Sequence, residues 1–400
     1  MDWSFLIKNK ESLNVTTDSR KVTPGSVFVA LKGEHFDGND FVEQARKDGA
    51  ECIISGENAL AELQDLARAW RRELGLPILA ITGTNGKTTT KELTAAVLST
   101  RYRLHYTQGN YNNSLGVPLT LLQITRAHEM AIIEMGASHP GDIRELVEIA
   151  EPNYGLITNV GRAHLEGFGS FEGVQRTKAE LYDWIVAHNG TVFRNADNPY
   201  LAAMLEESKK TNVNCQLSIV NYSTGTMPEG THLVGGYNAE NVSAALCIGE
   251  YFGVPREQGL AAIRAYLPSN NRSQLMQTER NTVVVDAYNA NPTSMTAAIE
   301  AFTNDKRQTT NDKCFILGAM RELGEYSHLE HQNIVNMLLE RKADKVLLVG
   351  EEYKETTAPY PVFENVEALC EHLKTNHLEN MQILLKGSRS NQLEKAIPYL

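Results

Sequence analysis

The chain has 400 residues, 42% of them hydrophobic and 22% charged, with a formal net charge of −11 at pH 7. Because one hydrophobic core rarely serves so long a chain, we expect two or three domains. The composition is that of a globular protein and not of a disordered chain. The acidic balance and the lack of a basic run argue against a nucleic-acid surface, which needs clustered Lys and Arg.

The N-terminal stretch and the cysteines bear on location. The opening MDWSFLIKNKESLNV lacks the basic start, apolar segment and cleavage site of a signal peptide. No apolar run reaches the length of a membrane-spanning helix, so no membrane insertion is expected. The cysteines are odd in number and lack CxxC spacing, which predicts neither a disulfide framework nor a zinc site and favours the cytoplasm. They are Cys52, Cys215, Cys247, Cys314 and Cys370.

Strand-like apolar runs alternate with helix-like stretches through most of the chain, which predicts an α/β fold with parallel sheets covered by helices. The first series of runs comprises residues 78–82, 131–135, 155–159 and 191–194. The second series comprises residues 283–286, 315–318, 346–350 and 383–387.

Two segments divide the chain. A charged amphipathic stretch, 64–74, leads into Gly75-Leu-Pro77, and the polar segment Leu267-Pro-Ser-Asn-Asn-Arg272 separates the two series of strands. We therefore expect three domains, at residues 1–75, 76–267 and 268–400.

The segment Gly83-Thr-Asn-Gly86-Lys87-Thr88 lies between an apolar strand and a helical stretch. Glycines let successive backbone N–H groups point at an anion, and the helix N-terminus adds partial positive charge. The lysine adds a point charge, and the threonine hydroxyl can reach Mg²⁺. The spacing GxxGKT is shorter than the usual GxxxxGK[ST]. We favour a nucleoside triphosphate site over a plain tight turn, although kinase, motor, switch and ligase all fit this loop.

Three polar residues follow later strands. Glu134 ends an apolar run, where a carboxylate is costly without a cation or donor, so it is a metal-ligand candidate or a cap of the next loop. His164 follows the next strand, and a histidine there is either a ligand or a hydrogen-bonding surface group. Lys178 lies near the start of a helix, where a solvated lysine is the ordinary interpretation.

Short segments along nearly the whole chain resemble those of the Mur ligases, ATP-dependent amide-forming enzymes of bacterial cell-wall precursor synthesis. The GTNGKT loop is the segment typical of the superfamily. The other similar segments are Asp18-Ser-Arg20, Gly33-Glu-His-Phe-Asp-Gly38, Gly109-Asn-Tyr-Asn-Asn113, His164-Leu-Glu-Gly-Phe-Gly169, Tyr237-Asn-Ala-Glu-Asn241, Asp286-Ala-Tyr-Asn-Ala-Asn-Pro292 and Lys386-Gly-Ser-Arg-Ser390.

The resemblance implies a small mixed α/β N-terminal domain that binds a UDP-linked substrate, a central P-loop ATPase-like domain with a mainly parallel sheet, and a Rossmann-like C-terminal domain that binds the incoming amine. It implies ATP and Mg²⁺ as cofactors. The implied catalytic residues are Lys87, Glu134, His164 and Lys178; the implied metal ligands are Thr88, Glu134, His164 and a carbamylated Lys178. The implied nucleotide-binding residues are Gly83, Thr84, Asn85, Gly86, Lys87, Thr88, Thr89, Asn238, Asn241, Arg272 and Asp286.

The YNANP and KGSRS segments are similar to those of the family member that adds D-alanyl-D-alanine to a UDP-N-acetylmuramoyl-tripeptide, which implies these two partners and a monomer. The implied substrate-binding residues are Ser19, Arg20, Phe36, Asp37, Gly38, Asn112, Asn113, Asn289, Asn291 and Arg389. Phe36 could equally be a core residue. One departure concerns Gly318-Ala319-Met320, where the family commonly has an aspartate in the middle. Two alternatives remain: a family member that adds a single amino acid, to the stem peptide or to folate, and a nucleotide-binding switch without ligase chemistry.

Overall fold

The computed structural model describes residues 2–212, 215–268, 271–304, 312–343 and 345–400. The chain forms two compact units. The first unit comprises Met1–Gly83, Leu98–Thr158 and Gln175–Tyr222. The second unit comprises Thr84–Val97, Asn159–Val174 and Ser223–Leu400.

A three-stranded parallel sheet opens the first unit. Its strands are β1 (Val15–Thr16), β2 (Val27–Val29) and β3 (Cys52–Ile54), in that order. Its helices are α1 (Ser4–Ile7), α2 (Val42–Lys47) and α3 (Ala59–Leu74). In α3 the residues Leu63, Leu66, Ala67 and Trp70 recur at helical spacing and are fully buried, as expected of an amphipathic helix. Gly75 ends α3 in a left-handed conformation, with φ of 62°.

The first unit also contains a six-stranded, wholly parallel sheet. Its strands are β4 (Ile78–Thr82), β5 (Leu104–Tyr106), β6 (Met130–Glu134), β7 (Tyr154–Ile157), β8 (Thr191–Asn195) and β9 (Ser218–Tyr222). Their order is β5-β6-β4-β7-β8-β9. β4 and β6 are buried along their whole length, which is why both read as uninterrupted apolar runs in the sequence. The four predicted strands are confirmed, with ends shifted by one or two residues.

Eight helices follow strands of this sheet or lie between the two long sheets in the sequence. They are α4 (Lys87–Leu98), α5 (Gly116–Leu122), α6 (Asp142–Ala150), α7 (Leu165–Phe168), α8 (Phe171–Ala187), α9 (Pro199–Lys209), α10 (Asn238–Tyr251) and α11 (Arg256–Ala265).

Charged side chains from two other helices bond to backbone groups at both ends of helix α6. Glu180 of α8 accepts the backbone N–H groups of Gly141 and Arg144, at 3.0 and 2.8 Å. The buried Arg71 of α3 donates to the carbonyls of Ala150 and Glu151, at 3.0 and 2.8 Å. Both ends of α6 therefore have partners for backbone groups that no helix satisfies internally.

The second unit contains a six-stranded mixed sheet. Its strands are β10 (Gln274–Gln277), β11 (Thr282–Asp286), β12 (Asp312–Gly318), β13 (Lys345–Val349), β14 (Val362–Phe363) and β15 (Met381–Lys386). Their order is β10-β11-β15-β12-β13-β14. β10 is antiparallel to β11, and the remaining pairs are parallel. The four predicted strands are confirmed, whereas the edge strands β10 and β14 were not predicted because each is short and half-exposed.

Helices cover both faces of this sheet. They are α12 (Pro292–Asn304), α13 (Ser327–Glu340) and α14 (Val366–Thr375). α12 and α13 pack on one face, where Leu384 of β15 points, while α14 packs on the other with Ile383 and Leu385. Short 3-10 segments complete the described elements: Ser19–Lys21, Gly38–Phe41, Gly324–Tyr326, Glu351–Glu355, Arg389–Asn391 and Leu393–Tyr399.

β15, the last strand in the chain, lies between β11 and β12. The carboxyl ends of three parallel strands thus meet at one edge, which is where ligands bind in sheets of this kind. The three sheets and their helices confirm the predicted three-domain α/β fold class. Among the helices within the described ranges, none has the length and apolar character needed to cross a membrane.

We predict that Leu385→Ala destabilises the C-terminal sheet by about 2–5 kcal/mol, because the deletion leaves a cavity among buried residues of β15 and α14. Leu329→Ala on the exposed side of α13, where the leucine is 54% exposed, is the matched control. Urea unfolding followed by far-UV circular dichroism measures both. Equal midpoints for the two variants would contradict this packing.

A second prediction concerns pH. Burial, with a smaller contribution from the His128 imidazole, lowers the pKa of His105 to about 4. Between about pH 6.5 and pH 4 the unfolded chain therefore binds a proton that the folded chain does not, and stability falls as the pH is lowered. The three tryptophans, Trp3, Trp70 and Trp184, all lie in the first unit, so their fluorescence reports its unfolding.

We expect His105→Gln to reduce the loss of stability of the first unit between about pH 7 and about pH 5. The exposed His139→Gln serves as the control, and urea midpoints at both pH values are the measurement. A loss of stability in His105→Gln as large as in the unchanged protein would contradict the assignment.

Candidate functional site

The glycine loop connects the end of β4 to the start of α4 at Lys87. Gly83 and Gly86 have φ values of 139° and 78°, which residues other than glycine rarely adopt. At Gly86 a Cβ atom would also lie 2.4 Å from Oδ1 of Asn241. The second glycine is therefore required both by the turn and by the close approach of α10.

Asn159, just beyond β7, holds this loop. Its carbonyl accepts the N–H of Thr84 at 2.9 Å. Its side-chain Oδ1 accepts the N–H of Asn85 at 3.0 Å, and its Nδ2 donates to the carbonyl of Asn85 at 3.2 Å. Lys87 Nζ donates to the Thr84 carbonyl at 3.0 Å, so the lysine lies over its own loop. Asn159 was not singled out from the sequence, although a polar residue ending an apolar run is the same signal that identified Glu134.

Asn238 and Asn241, both predicted to bind nucleotide, lie in the first turn of α10 and are buried. Asn241 Oδ1 accepts the hydroxyl of Thr90 at 3.0 Å, and its Nδ2 donates to Asn238 Oδ1 at 2.9 Å. Asn238 Nδ2 donates to the Val234 carbonyl at 2.7 Å. The bond from Thr90 attaches α10 to α4, the helix that follows the glycine loop. Thr89, also predicted to bind nucleotide, is half-buried in that helix.

Glu134 ends β6 and is 1% exposed. Asn112 Nδ2 donates to its Oε1 at 3.0 Å, and the Glu134 N–H donates to Thr107 Oγ1 at 3.0 Å. Asn112 and Glu134 are thus brought together. Asn113 instead caps α5, since its Oδ1 accepts the N–H of Gly116 at 2.8 Å.

The structure places Lys178 and His164 in different surroundings. Lys178 is 2% exposed within α8, so the expectation of a solvated lysine is wrong. His164 has a φ of 50° just before α7, and its Nδ1 pairs with a carboxylate oxygen of Glu322. His164 is therefore held by a carboxylate in this structure.

The predicted metal ligands offer a mixed set of donors to Mg²⁺. Within the described part of the chain no three His, Cys, Asp or Glu residues cluster as a metal site. The predicted set consists of the carboxylate of Glu134, the imidazole of His164, the hydroxyl of Thr88 and the amine of Lys178. A buried carboxylate is the ligand type that Mg²⁺ prefers, whereas an ammonium repels it. The set fits Mg²⁺ when Lys178 carries an added carboxylate.

The residues predicted for the UDP end lie in two turns of the first unit. Arg20 makes two hydrogen bonds with the Asp18 carboxylate, both 2.8 Å, and this lowers the pKa of Asp18 to about 2. Ser19 lies in the same 3-10 turn. Phe36 is 63% exposed, so the alternative of a core phenylalanine is wrong. Next to it, Asp37 caps the turn that begins at Gly38.

The residues predicted for the amine lie at the carboxyl edge of the C-terminal sheet. Asn291 Nδ2 donates to Asn85 Oδ1 at 2.8 Å, which brings this loop to the glycine loop. Asn289 Oδ1 accepts the N–H of Ala290 at 2.9 Å. Arg389 is largely exposed and pairs with Glu394.

Two more predicted nucleotide ligands lie at the same edge. The Arg272 guanidinium lies 3.8 Å from the centre of the Tyr288 ring, a cation–π geometry. Asp286 accepts from Lys386 Nζ at 2.7 Å and from the Ser273 N–H at 3.3 Å.

Further polar residues at this edge were assigned no role from the sequence. Ser388 and Asn391 follow β15, and Asn391 Nδ2 donates to the Ala319 carbonyl at 2.7 Å. The buried His331 accepts the Met320 N–H on Nε2 at 3.0 Å, and burial lowers its pKa. Ala319 is fully buried in the apolar core, so its side chain contributes packing and no charge. A core histidine in a helix has no distinctive spacing, and therefore the sequence offered no signal for it.

Three family models match the chain. The Mur ligase middle domain matches residues 81–225, the Mur ligase, glutamate ligase domain matches residues 271–389, and the Mur ligase family, catalytic domain matches residues 13–99.

Similar proteins cover nearly the whole chain. UDP-N-acetylmuramoyl-tripeptide--D-alanyl-D-alanine ligases of Bacillus subtilis and Escherichia coli are 32% and 33% identical, over 96% of this chain and 92% of each relative. A crystal structure of MurF from Acinetobacter baumannii has a TM-score of 0.82 and 29% identity, over 96% of this chain and 92% of that one. MurF ligase from Thermotoga maritima, in complex with ADP, has a TM-score of 0.82 and 26% identity, over 98% of both chains. The chain therefore belongs to the Mur ligase family.

Proposed function

We propose that this chain is an ATP-dependent ligase that joins D-alanyl-D-alanine to a UDP-N-acetylmuramoyl-tripeptide and releases ADP and phosphate. The observation that carries the proposal is the end-to-end similarity to relatives that all bear the name of this ligase. The glycine loop, with its two positive-φ glycines and its lysine, supports the use of a triphosphate.

The chemistry starts from a carboxylate, which is a poor electrophile. Attack of a carboxylate oxygen on the γ-phosphorus of ATP forms an acyl phosphate and releases ADP. The dipeptide amine then attacks the acyl carbon, phosphate leaves, the amine nitrogen loses a proton and the amide bond forms.

The glycine loop supplies the phosphate-binding groups in this proposal. The N-terminus of α4, which begins at Lys87 directly after the glycine loop, attracts the triphosphate, and the Lys87 ammonium adds a positive charge for the transferring phosphoryl group. Lys87 must leave the Thr84 carbonyl, 3.0 Å away, to do so. Asn159 keeps the loop in shape meanwhile, because its bonds are to the backbone of Thr84 and Asn85 and not to the lysine.

Magnesium is part of the proposal, with Thr88, Glu134, His164 and a carbamylated Lys178 as the side chains that would hold it. When bound, Mg²⁺ offsets negative charge on the phosphates. Carbamylation would replace the positive charge of Lys178 with a negative one. Lys178 is 2% exposed, so its side chain lies among protein groups and not in solvent, which a carbamylated metal ligand requires.

We assign the remaining predicted residues by position. Asn238 and Asn241 would serve the adenine side of ATP, and Arg272 and Asp286 would reach its ribose and phosphates. Asn289, Asn291 and Arg389 would hold the dipeptide, and the planar guanidinium of Arg389 suits its terminal carboxylate. Ser19, Arg20, Asn112 and Asn113 would contact the UDP-linked substrate, as would Phe36, Asp37 and Gly38. The domain limits at residues 75 and 267, a monomeric state and a cytoplasmic location belong to the same proposal.

We predict amide formation when the purified protein is incubated with ATP, Mg²⁺, D-alanyl-D-alanine and a UDP-N-acetylmuramoyl-tripeptide. Two tripeptides, ending in meso-diaminopimelate or in lysine, are supplied separately, and product mass is measured. Lys87→Ala should abolish product formation because the phosphoryl group loses its positive partner.

Other results of the same experiment would reject the proposal. Phosphate release stimulated by meso-diaminopimelate, lysine or a folate with glutamate, and not by the dipeptide, would identify a ligase that adds a single amino acid. Nucleotide binding without any amine-dependent product would identify a switch.

For Lys178 we predict that Lys178→Ala loses nearly all ligase activity and that short carboxylates in solution partly restore it, because they replace the carbamate oxygens. Lys209→Ala, at a surface lysine of α9, is the control and should behave as the unchanged protein. Mass spectrometry of the intact protein under bicarbonate should show the added carbon dioxide only when Lys178 is present. Full activity of Lys178→Ala without additive would disprove the assignment.

A further inference from the structure

A buried ion pair joins the carboxyl ends of β11 and β15. Asp286 and Lys386 are direct neighbours in the parallel register of these strands. Lys386 Nζ lies 2.7 Å from Asp286 Oδ2, and the two side chains are 2% and 17% exposed. The second carboxylate oxygen of Asp286 accepts the Ser273 N–H. Each oxygen of the carboxylate is therefore held by a different segment.

The same lysine also holds the loop between β11 and α12, residues 287–291. Its Nζ donates to the carbonyl of Asn289 at 3.1 Å. Two residues further along, Ser388 Oγ donates to the next carbonyl in the loop, that of Ala290, at 3.4 Å. The end of β15 thus bonds two successive carbonyls of a loop that has no helix or strand of its own.

Stability alone gives little reason for such a lysine. The preceding residues of β15, from Ile383 to Leu385, are apolar and fully buried. Desolvation of both charges offsets most of their attraction. Apolar residues of similar volume can therefore often replace a buried ion pair without loss of folding stability. A charged group at this strand end is better explained by the geometry that it imposes on Asp286 and Asn289.

We propose that Lys386 is a positioning residue for the incoming amine. Its ammonium connects the side chain that ends β11 to the backbone of Asn289, and this sets the direction of the loop that carries Asn289 and Asn291. Asn291 in turn bonds Asn85 of the glycine loop. A fixed loop places the dipeptide nitrogen relative to the acyl phosphate, whereas the backbone of the glycine loop, which serves formation of that acyl phosphate, is also held by Asn159. The inference rests on the ligase function proposed above.

The test separates the two chemical steps in Lys386→Met. Hydroxylamine, supplied in place of the dipeptide, attacks the acyl carbon, releases phosphate and leaves a hydroxamate, which reports the first step. Amide formation with varied D-alanyl-D-alanine reports the second. At saturating ATP, which compensates for weaker nucleotide binding through Asp286, we expect hydroxamate formation close to that of the unchanged protein and a kcat/KM for the dipeptide lower by about 100-fold, since small displacements of a positioned reactant have effects of this size.

The control is Lys395→Met, which removes an exposed lysine paired with Glu367 and should leave both steps unchanged. Equal losses in both steps, or no loss in either, would overturn the positioning role. If Lys386→Met does not fold, as judged by its thermal transition, Lys386→Gln is tested in the same way because it keeps an N–H donor. If neither variant folds, Lys386 is a structural residue and the proposal is wrong. Absence of hydroxamate in the unchanged protein would instead refute the ligase function.

Discussion

A polar side chain at the carboxyl end of a buried parallel strand needs a partner there, and much of this structure follows from that constraint. Backbone and side-chain polar groups lose water when the strand is covered on both faces, so each must bond to protein or ligand. Asn159 satisfies this need with the backbone of Thr84 and Asn85, and Asp286 does so with Lys386 and Ser273. The groups suited to hold charged substrates are thereby also those that shape the surrounding loops.

The two long sheets meet the constraint in different ways. In the first unit the strand ends are held by uncharged amides and hydroxyls, such as Asn112 on Glu134 and Thr107 on the backbone of Glu134. In the second unit the ends of β11 and β15 carry opposite charges that neutralise each other.

Long apolar runs made the eight principal strands predictable, because a parallel strand covered on both faces has no polar alternation. Short or half-exposed strands such as β10 lack this signal, and β10 pairs antiparallel to β11. Sheet order is also invisible in a single sequence, since nothing local indicates that β15 inserts between β11 and β12. The glycine loop was predictable because its two positive-φ glycines, lysine and helix are contiguous. Lys386 was quoted only as part of a motif, because its partners Asp286 and Asn289 lie about a hundred residues away.

The α/β class, the place of the glycine loop and the family could all be predicted from the sequence, because each depends on contiguous residues or on similarity along the chain. Only the folded structure shows which side chains are buried and which groups they bond to. In the folded chain Lys178 is buried, Phe36 is exposed, and Asn113 Oδ1 accepts the N–H of Gly116 at the start of α5. The physical reason is that burial and pairing depend on distance in space, which is set by sheet order and crossovers between segments far apart in the chain.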